Sequence, residues 1–200
     1  MYGFESHLVH LTSLSLVFDS PPLQALHRCG ALAIAAAAYD AVVPRSIAEE
    51  TARSRTIEGE ARVPELAAYA GLSVRAVDDE LLAEAGAVLI GEARATTEYR
   101  LDVHRIDRPE LDVLLLARRL GGAALVEDKA AIRVARKLAV PVVGTAQVLC
   151  DLERRGLLDD AAAAAKTIRA TKYLTKDLVL LASGVRLRPW RSELAAQLHR

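Results

Sequence analysis

The chain has 200 residues, which suits one domain, with or without a small annex. Hydrophobic residues make up 52% of it and aromatic residues only 4%, so Ala, Leu and Val must fill a sizeable core. Its 26 Lys and Arg balance its 26 Asp and Glu, for a formal net charge of +0. That balance excludes a uniformly cationic nucleic-acid coat, and the high hydrophobicity excludes a disordered chain.

The first part of the chain alternates between short apolar runs and helical patterns. The apolar run at 14–18 predicts a buried strand, and a Ser-Pro-Pro turn follows it directly. A helix then begins, is interrupted at Gly30 and resumes in an alanine-rich stretch. A second short buried strand is predicted at 41–44.

Two later helices carry sequence signals for their N-termini. Ser46 and Glu49 match a capping box, in which the two side chains satisfy each other's backbone N–H groups, so we expect a helix to begin at Ser46. Asp107 and Glu110 have the same spacing at the start of a second, largely apolar helix. Glu50 lies about 100° around its helix from Glu49 and has no capping role.

Residues 53–108 have the weakest periodicity of the chain, and we interpret them as an insertion or annex within a single domain that spans 1–200. An apolar run at 72–77 predicts a strand, with helical patterns on either side at 65–69 and 78–85. Residues 97–106 alternate between apolar and polar, which is typical of a half-exposed strand. This strand and 87–90 are expected to form a small β-hairpin annex.

Strong patterns return after residue 107. We expect strands at 123–126 and 141–143, and helices at 107–120, 129–138, 145–155, 159–173, 175–182 and 192–199. The last three of these are the C-terminal helices. Short, continuously apolar strands that alternate with helices of ten or more residues indicate βαβ units. The sequence therefore predicts an α/β fold with a central parallel sheet.

Acidic residues follow several of the predicted strands. Asp19 comes directly after the first strand, and Glu127 and Asp128 come directly after the strand at 123–126. Glu50 and Glu110 lie in the first turns of two helices. Because ligands of open parallel sheets bind outside the carboxyl ends of the strands, these acids are expected to converge at one end of the sheet.

Clustered carboxylates repel one another unless a cation neutralises them. Oxygen ligands without a nearby Cys or His set suit Mg²⁺ or Mn²⁺ better than zinc. The chemistry typical of such a site is metal-assisted phosphodiester hydrolysis. The chain has neither a glycine-rich phosphate loop nor a G-x-S-x-G nucleophile elbow, so other nucleotide-binding and hydrolase classes lack support.

Each acid also has a purely structural interpretation. Asp128 could be the N-cap of the following helix, Glu110 only half of its capping box, and Asp19 a turn former. Glu50 could be a solvated helix residue. Asp112 is an alternative to Glu110, but it points about 200° away on the same helix, so at most one of the two faces the site.

Several motifs occur together and in order along the chain. They are Asp19-Ser20 after the first strand, Pro44, Ile47 and Glu50 in a P-x-x-V-x-x-E-like segment, Glu110 after Pro109, Glu127-Asp128 after a strand, Arg133 and Ala135 in the next helix, and Gly144-Thr145 after the last strand. With these motifs the chain resembles the PIN-domain nucleases, and most of all the PIN-like proteins related to toxins of toxin–antitoxin pairs. Three positions depart from that pattern: Ile47 replaces Val, Pro109 replaces Gly and Glu127 replaces Asp.

The resemblance implies a PIN-like three-layer α/β/α fold and cleavage of RNA. It implies that Asp19, Glu50, Glu110 and Asp128 are the catalytic residues and hold Mg²⁺ or Mn²⁺, with Glu127 as a further metal ligand. It also implies a small antitoxin protein as partner and a homodimer. The departures at positions 109 and 127 keep open a non-catalytic PIN-like binding or assembly subunit, and a DNA-cleaving defence nuclease is a further alternative.

Basic residues are predicted next to the acids. Lys129, Arg133, Arg136 and Lys137 share one face of the helix that begins after Asp128. That face is either a track for substrate phosphates or an ordinary solvated surface. We assign substrate binding to Lys129, Arg133 and Arg136, together with Ser20 and Thr145.

The sequence also indicates the cellular compartment of the protein. Cys29 and Cys150 lie far apart, and no Cys or His set has the spacing of a zinc site. The N-terminus has an early Glu5 and no basic segment, unlike a signal peptide. The uncharged runs are shorter than the about 20 apolar residues of a membrane span. We therefore expect a cytoplasmic protein without a membrane partner.

Overall fold

The computed structural model describes residues 14–53, 70–84, 86, 106–169 and 175–187. Its strands are β1 (Ser15–Phe18), β2 (Asp40–Pro44), β3 (Leu72–Arg75), β4 (Ala123–Leu125) and β5 (Val142–Val143). Its helices are α1 (Ser20–Arg28), α2 (Leu32–Ala38), α3 (Arg45–Arg53), α4 (Arg108–Arg119), α5 (Lys129–Lys137), α6 (Thr145–Arg154), α7 (Ala161–Arg169) and α8 (Lys176–Ala182). Residues 79–84 are also helical.

The five strands form one sheet in the order β3-β2-β1-β4-β5, and every neighbouring pair is parallel. The first and fourth strands lie side by side, with Val17 opposite Ala124. Apart from Ser15 at the start of β1, the side chains of both strands are fully buried, which is why these strands are apolar rather than alternating. The predicted α/β fold with a central parallel sheet is confirmed, and it has the three-layer α/β/α form.

Part of the region interpreted as an insertion belongs to the central sheet. The strand predicted at 72–77 is present as β3, and it extends the sheet beside β2, where Val42 lies opposite Ser73. The predicted β-hairpin of 87–90 with 97–106 lies outside the described residues, apart from the buried Ile106. The predicted helices at 65–69 and 192–199 lie outside them as well.

The two predicted capping boxes have opposite outcomes. Asp107 and Glu110 form theirs at the start of α4. The prediction for Ser46 and Glu49 was wrong, because α3 begins at Arg45, directly after β2. Ser46 therefore lies inside the helix, and its hydroxyl donates to the Asp112 carboxylate at 2.7 Å instead of capping the helix.

Within the described ranges, none of the helices combines the length and the apolar character needed to cross a membrane.

Candidate active site

Asp19 is placed at the carboxyl end of β1 by the hydrogen bonding of the sheet. Its backbone N–H donates to the Leu125 carbonyl at 3.1 Å, which extends the pairing of β1 with β4 by one residue. Its side chain is 3% exposed, caps α1 and accepts the Ser20 N–H at 2.8 Å. Ser20 is equally buried, and its hydroxyl accepts a hydrogen bond from Gln24 at 3.1 Å. The first predicted acid is thus buried in the protein.

The surroundings of Asp19 disfavour its charged form. Burial raises the pKa of this carboxyl to about 7, although the Ser20 N–H lowers it. The negative charges of Glu110, Glu50 and Asp107 raise the pKa further. A pKa perturbed by burial and by neighbouring charges makes Asp19 a candidate functional residue.

Glu110 belongs to the same group and also has a structural role. Its carboxylate accepts the Asp107 N–H at 3.2 Å, and the Asp107 carboxylate accepts the Glu110 N–H at 2.9 Å. Glu110 therefore forms half of a capping box, as its structural interpretation proposed. Burial raises the pKa of Glu110, the Asp107 N–H lowers it, and the charges of Asp107, Asp128 and Glu50 raise it again.

Asp128 is the N-cap of α5, as its structural alternative proposed. One oxygen, Oδ1, accepts the N–H groups of Ala130 at 2.6 Å and Ala131 at 3.1 Å. The other oxygen accepts no hydrogen bond within the described residues, and the side chain is exposed. One carboxylate oxygen is therefore free to bind a ligand while the first one caps the helix.

Glu110 lies within electrostatic range of each of the other three predicted acids. Glu50 is exposed on α3, but its charge acts on both Asp19 and Glu110, and the charge of Asp128 acts on Glu110. Among the described residues, however, no three Asp, Glu, His or Cys side chains lie close enough together to hold one metal ion. The acids share a region of the protein without forming a closed coordination shell.

Glu127, the fifth predicted metal ligand, contacts α6. Its Oε1 accepts the Thr145 N–H at 2.7 Å, at the first residue of α6. Burial raises the pKa of Glu127, contacts with Thr145 lower it, and the Asp177 charge raises it. The Thr145 hydroxyl is fully buried beside this carboxylate, although it does not reach hydrogen-bond geometry with any group in the described ranges.

Asp112, the alternative to Glu110, has a structural role. It is 6% exposed and accepts hydrogen bonds from Ser46 at 2.7 Å and from the Arg108 guanidinium at 2.7 Å. Because a buried carboxylate needs such partners, Asp112 ties α4 to α3. The sequence could not assign this role, since Ser46 is 66 positions away in the chain.

Sequence reasoning missed two acids near the site. Asp107 was interpreted only as a helix cap, but its charge acts on both Asp19 and Glu110. Asp177, in the first turn of α8, acts on Glu127 although 50 positions separate them along the chain. The spacing of Asp107 to Glu110 could have indicated the first; nothing in the sequence indicates the second.

The predicted basic face of α5 is exposed. Lys129, Arg133, Arg136 and Lys137 all face solvent, while the opposite face of the helix is buried. None of the first three forms an ion pair with any residue that the structure describes. Since Asp128 directly precedes Lys129, this face begins next to the acids.

The fold and the site define an α/β protein that gathers carboxylates at the carboxyl ends of parallel strands. A comparison with protein families identifies it further. The family model DUF3368, described as a PIN domain, matches residues 15–182, which is well over half of the chain. The chain therefore belongs to the PIN-domain family, as its motifs predicted, and PIN domains are generally nucleases. Neither curated proteins nor solved structures yielded a match.

Proposed function

We propose that this PIN domain is a metal-dependent endoribonuclease that hydrolyses RNA phosphodiester bonds. The observation that carries the proposal is the buried Asp19 carboxyl, whose pKa is raised to about 7 among three further carboxylates. A buried acid in such surroundings lowers stability when it ionises, unless a cation is bound nearby. A divalent cation at this position would favour the ionised acid.

The donor chemistry suits Mg²⁺ or Mn²⁺, because the ligands offered are carboxylate oxygens. Asp19, Glu50, Glu110 and Asp128 would hold the ion. When bound, it would lower the pKa of a water molecule and offset negative charge on the phosphate. The capping bonds keep Asp19, Glu110 and Asp128 oriented, since each of them is hydrogen-bonded to the N-terminus of a helix.

The exposed face of α5 would bind the backbone of the substrate. Lys129 follows Asp128 directly, and Arg133 and Arg136 continue the row away from the acids. A rise of about 1.5 Å per residue puts Arg136 roughly 10 Å along the helix axis from Lys129. These cations would bind successive phosphates without reading the sequence. The substrate-binding roles of Ser20 and Thr145 stay predictions, since both residues are buried.

A cleavage assay on labelled RNA and DNA of the same sequence tests the proposal. Cleavage should require Mg²⁺ or Mn²⁺, stop with a chelator and favour RNA. Asp128→Asn keeps the helix cap, since Asn caps as well as Asp, but removes the charge. We expect it to lower cleavage by about 100-fold or more, because a metal ligand contributes several kcal/mol to the transition state.

Asp160→Asn is the matched control, because Asp160 is also an acidic helix cap, accepting the Ala163 N–H at 2.8 Å. It should cleave like the wild type. Full activity of Asp128→Asn would contradict the site assignment, and faster cleavage of DNA would favour the DNA nuclease.

A non-catalytic binding or assembly subunit is the second candidate. It is favoured by the spacing of the acids, no three of which are close enough to hold one ion within the described residues. Calorimetric titration with Mn²⁺ separates the two candidates, because a folded protein that binds no Mn²⁺ would support the subunit. The toxin role, the antitoxin partner and the homodimer stay predictions of the family resemblance.

A further inference from the structure

Glu127 and Asp128 are consecutive in the chain, but their carboxylates serve different helices. Asp128 caps α5, which it precedes. Glu127 extends instead towards α6, where its Oε1 accepts the Thr145 N–H at 2.7 Å. The two acids after β4 therefore need separate assignments.

The N-cap of α6 has no side-chain acceptor. It is Gly144, which has no side chain, so the N–H groups of the first turn depend on other residues. Gln147 accepts the Gly144 N–H at 2.7 Å, and Glu127 accepts the next one, that of Thr145. Glu127 thus supplies, from the end of β4, an acceptor for the first N–H of α6.

Both carboxylate oxygens of Glu127 lie over this turn. A Cβ placed on Gly144 would be 3.4 Å from Oε1 and 3.6 Å from Oε2. The geometry thus places the Glu127 carboxylate at the start of α6, whereas the family resemblance implies a metal ligand.

The bond continues the pairing of β4 with β5 beyond the strands. The backbone of Val126 donates to the Val143 carbonyl at 3.2 Å, and the bond from the Thr145 N–H to the Glu127 side chain comes next. The loop that carries Asp128 is thus held on one side by α6 and on the other by the cap of α5. Loss of the Glu127 bond would free that loop on the α6 side.

We infer that Glu127 is a positioning residue that holds the Asp128 loop against α6 through the Thr145 N–H, and is not a metal ligand. The inference rests on the proposed function for its effect on cleavage. Its structural part, the bond between Glu127 and Thr145, is independent of that function.

Two substitutions distinguish the length of the Glu127 side chain from its charge. Glu127→Gln keeps the length and an acceptor oxygen but loses the charge, whereas Glu127→Asp keeps the charge but is one methylene too short. If Glu127 positions the loop, the Mn²⁺ affinity of Glu127→Gln should stay within about threefold of the wild type. In Glu127→Asp, Mn²⁺ affinity and kcat should each fall about tenfold or more, as is typical when a residue that orients a metal ligand is lost. The KM for RNA should change little.

Hydrogen exchange of the Thr145 amide, measured on the full chain, provides a readout that needs no activity. Glu127→Asp should lower its protection about tenfold, and Glu127→Gln should not. The inference is overturned if Glu127→Asp retains Mn²⁺ binding while Glu127→Gln loses it. It is also overturned if the Thr145 amide stays fully protected in Glu127→Asp. A wild type that neither binds Mn²⁺ nor cleaves would refute the proposed function, and the exchange of Thr145 alone would then decide the role of Glu127.

Discussion

Asp19 and Asp151 are both buried carboxylates, but their surroundings are opposite. Asp151 is 4% exposed, accepts a hydrogen bond from the Tyr39 hydroxyl at 2.6 Å and pairs with Arg154 at 3.2 Å. Asp19 is also buried, but it accepts the Ser20 N–H, and the negative charges of Glu110, Glu50 and Asp107 act on it. Because a buried charge is stable only when it is compensated, Asp151 is a structural acid and Asp19 a candidate for cation binding.

This contrast predicts how Asp19 affects stability as the pH changes. Its pKa is raised to about 7 in the folded protein, from 3.8, so the folded state binds this proton more tightly than the unfolded state. The stabilisation by that proton is complete below about pH 4 and is lost as the pH rises through about 7, with an upper limit of about 4 kcal/mol. In a chelator, Asp19→Asn should therefore become more stable than the wild type as the pH rises.

Urea unfolding between about pH 4 and pH 8 measures this difference. Asp151→Asn is the matched control and should be less stable than the wild type by about 1–3 kcal/mol, because it weakens a compensated pair. A stability gain for Asp19→Asn that does not change with pH would show that charge is not its cause.

Glu110 and Asp112 allow the metal role to be separated from the structural one. Glu110→Gln retains the capping box, which accepts Gln at this position, but removes the negative charge. We expect its free energy of unfolding to change by less than about 0.5 kcal/mol and its Mn²⁺ affinity to fall about tenfold or more. Calorimetric titration and thermal unfolding measure the two effects.

Asp112→Asn should give the reverse pattern. It weakens the bonds to Ser46 and Arg108, at a cost of about 1–3 kcal/mol in stability, and leaves the Mn²⁺ affinity unchanged. If the two variants reduced Mn²⁺ affinity to the same extent, both acids would belong to the metal site.

Helix α5 carries four exposed cations and no acid, although the total charge of the chain is balanced. Arg133→Gln together with Arg136→Gln should weaken RNA binding, measured in the Asp128→Asn background so that no cleavage occurs. The magnitude of the slope of log affinity against log salt should fall by roughly 0.7 for each phosphate that the variant no longer binds. The reason is that each phosphate neutralised by the protein releases its condensed counterions.

Lys166→Gln together with Arg169→Gln removes the same charge from the exposed face of α7 and is the control. An equal weakening of RNA binding in both double variants would mean that net charge, and not the face of α5, determines the binding.

Gly122 allows the start of β4 to lie close to the start of β1. A Cβ at this position would overlap the backbone carbonyl oxygen of Ser15. Gly122→Ala should therefore force these two strands apart and destabilise the protein by about 3 kcal/mol. Asp19 and the Asp128 loop lie at the other ends of the same two strands.

Gly121→Ala is the neighbouring control. Gly121 has a φ of +59°, and a Cβ placed there would meet no atom within 4 Å, so Ala costs only the strain of a left-handed backbone. That strain amounts to about 1 kcal/mol. Urea unfolding ranks the two variants, and equal destabilisation would show that Ser15 moves away easily.

For the whole molecule, a bound cation should stabilise the folded state, because the acids come together only after folding. At about 100 times its Kd, Mn²⁺ should add about 2.7 kcal/mol to the free energy of unfolding. In a protein of this length, that corresponds to a rise in Tm of roughly 5–10 °C. Asp128→Asn should abolish the rise and Asp160→Asn should not, whereas equal shifts in both would place Mn²⁺ elsewhere.

Much of the fold could be predicted from local patterns. The strands at 15–18 and 123–125 were recognisable because both are continuously apolar, and Gly30, with a φ of +75°, separates α1 from α2 as expected. The Ser46 capping box failed because the pattern spans only four residues, and a buried carboxylate, Asp112, bonds to the same hydroxyl. Local spacing cannot show which distant group competes for a side chain.

The same limit applied to the candidate site. The positions of Asp19, Glu50, Glu110 and Asp128 followed from where strands and helices begin and end, since parallel strands all finish at one edge of the sheet. The different roles of Glu127 and Asp128 did not follow, because both are acids after the same strand. Only the position of α6 shows that Glu127 extends to Thr145.

The alternation of strands and helices, the parallel sheet and the family were all recognisable in the sequence, since these depend on patterns within a few residues. The tertiary structure decided the strand order β3-β2-β1-β4-β5, the inclusion of β3 in the sheet and the burial of Asp19. Burial and electrostatic coupling act between residues that are distant in the chain. The pKa of Asp19 therefore depends first on its burial and then on the charges of Glu110 and Glu50, all of which arise only on folding.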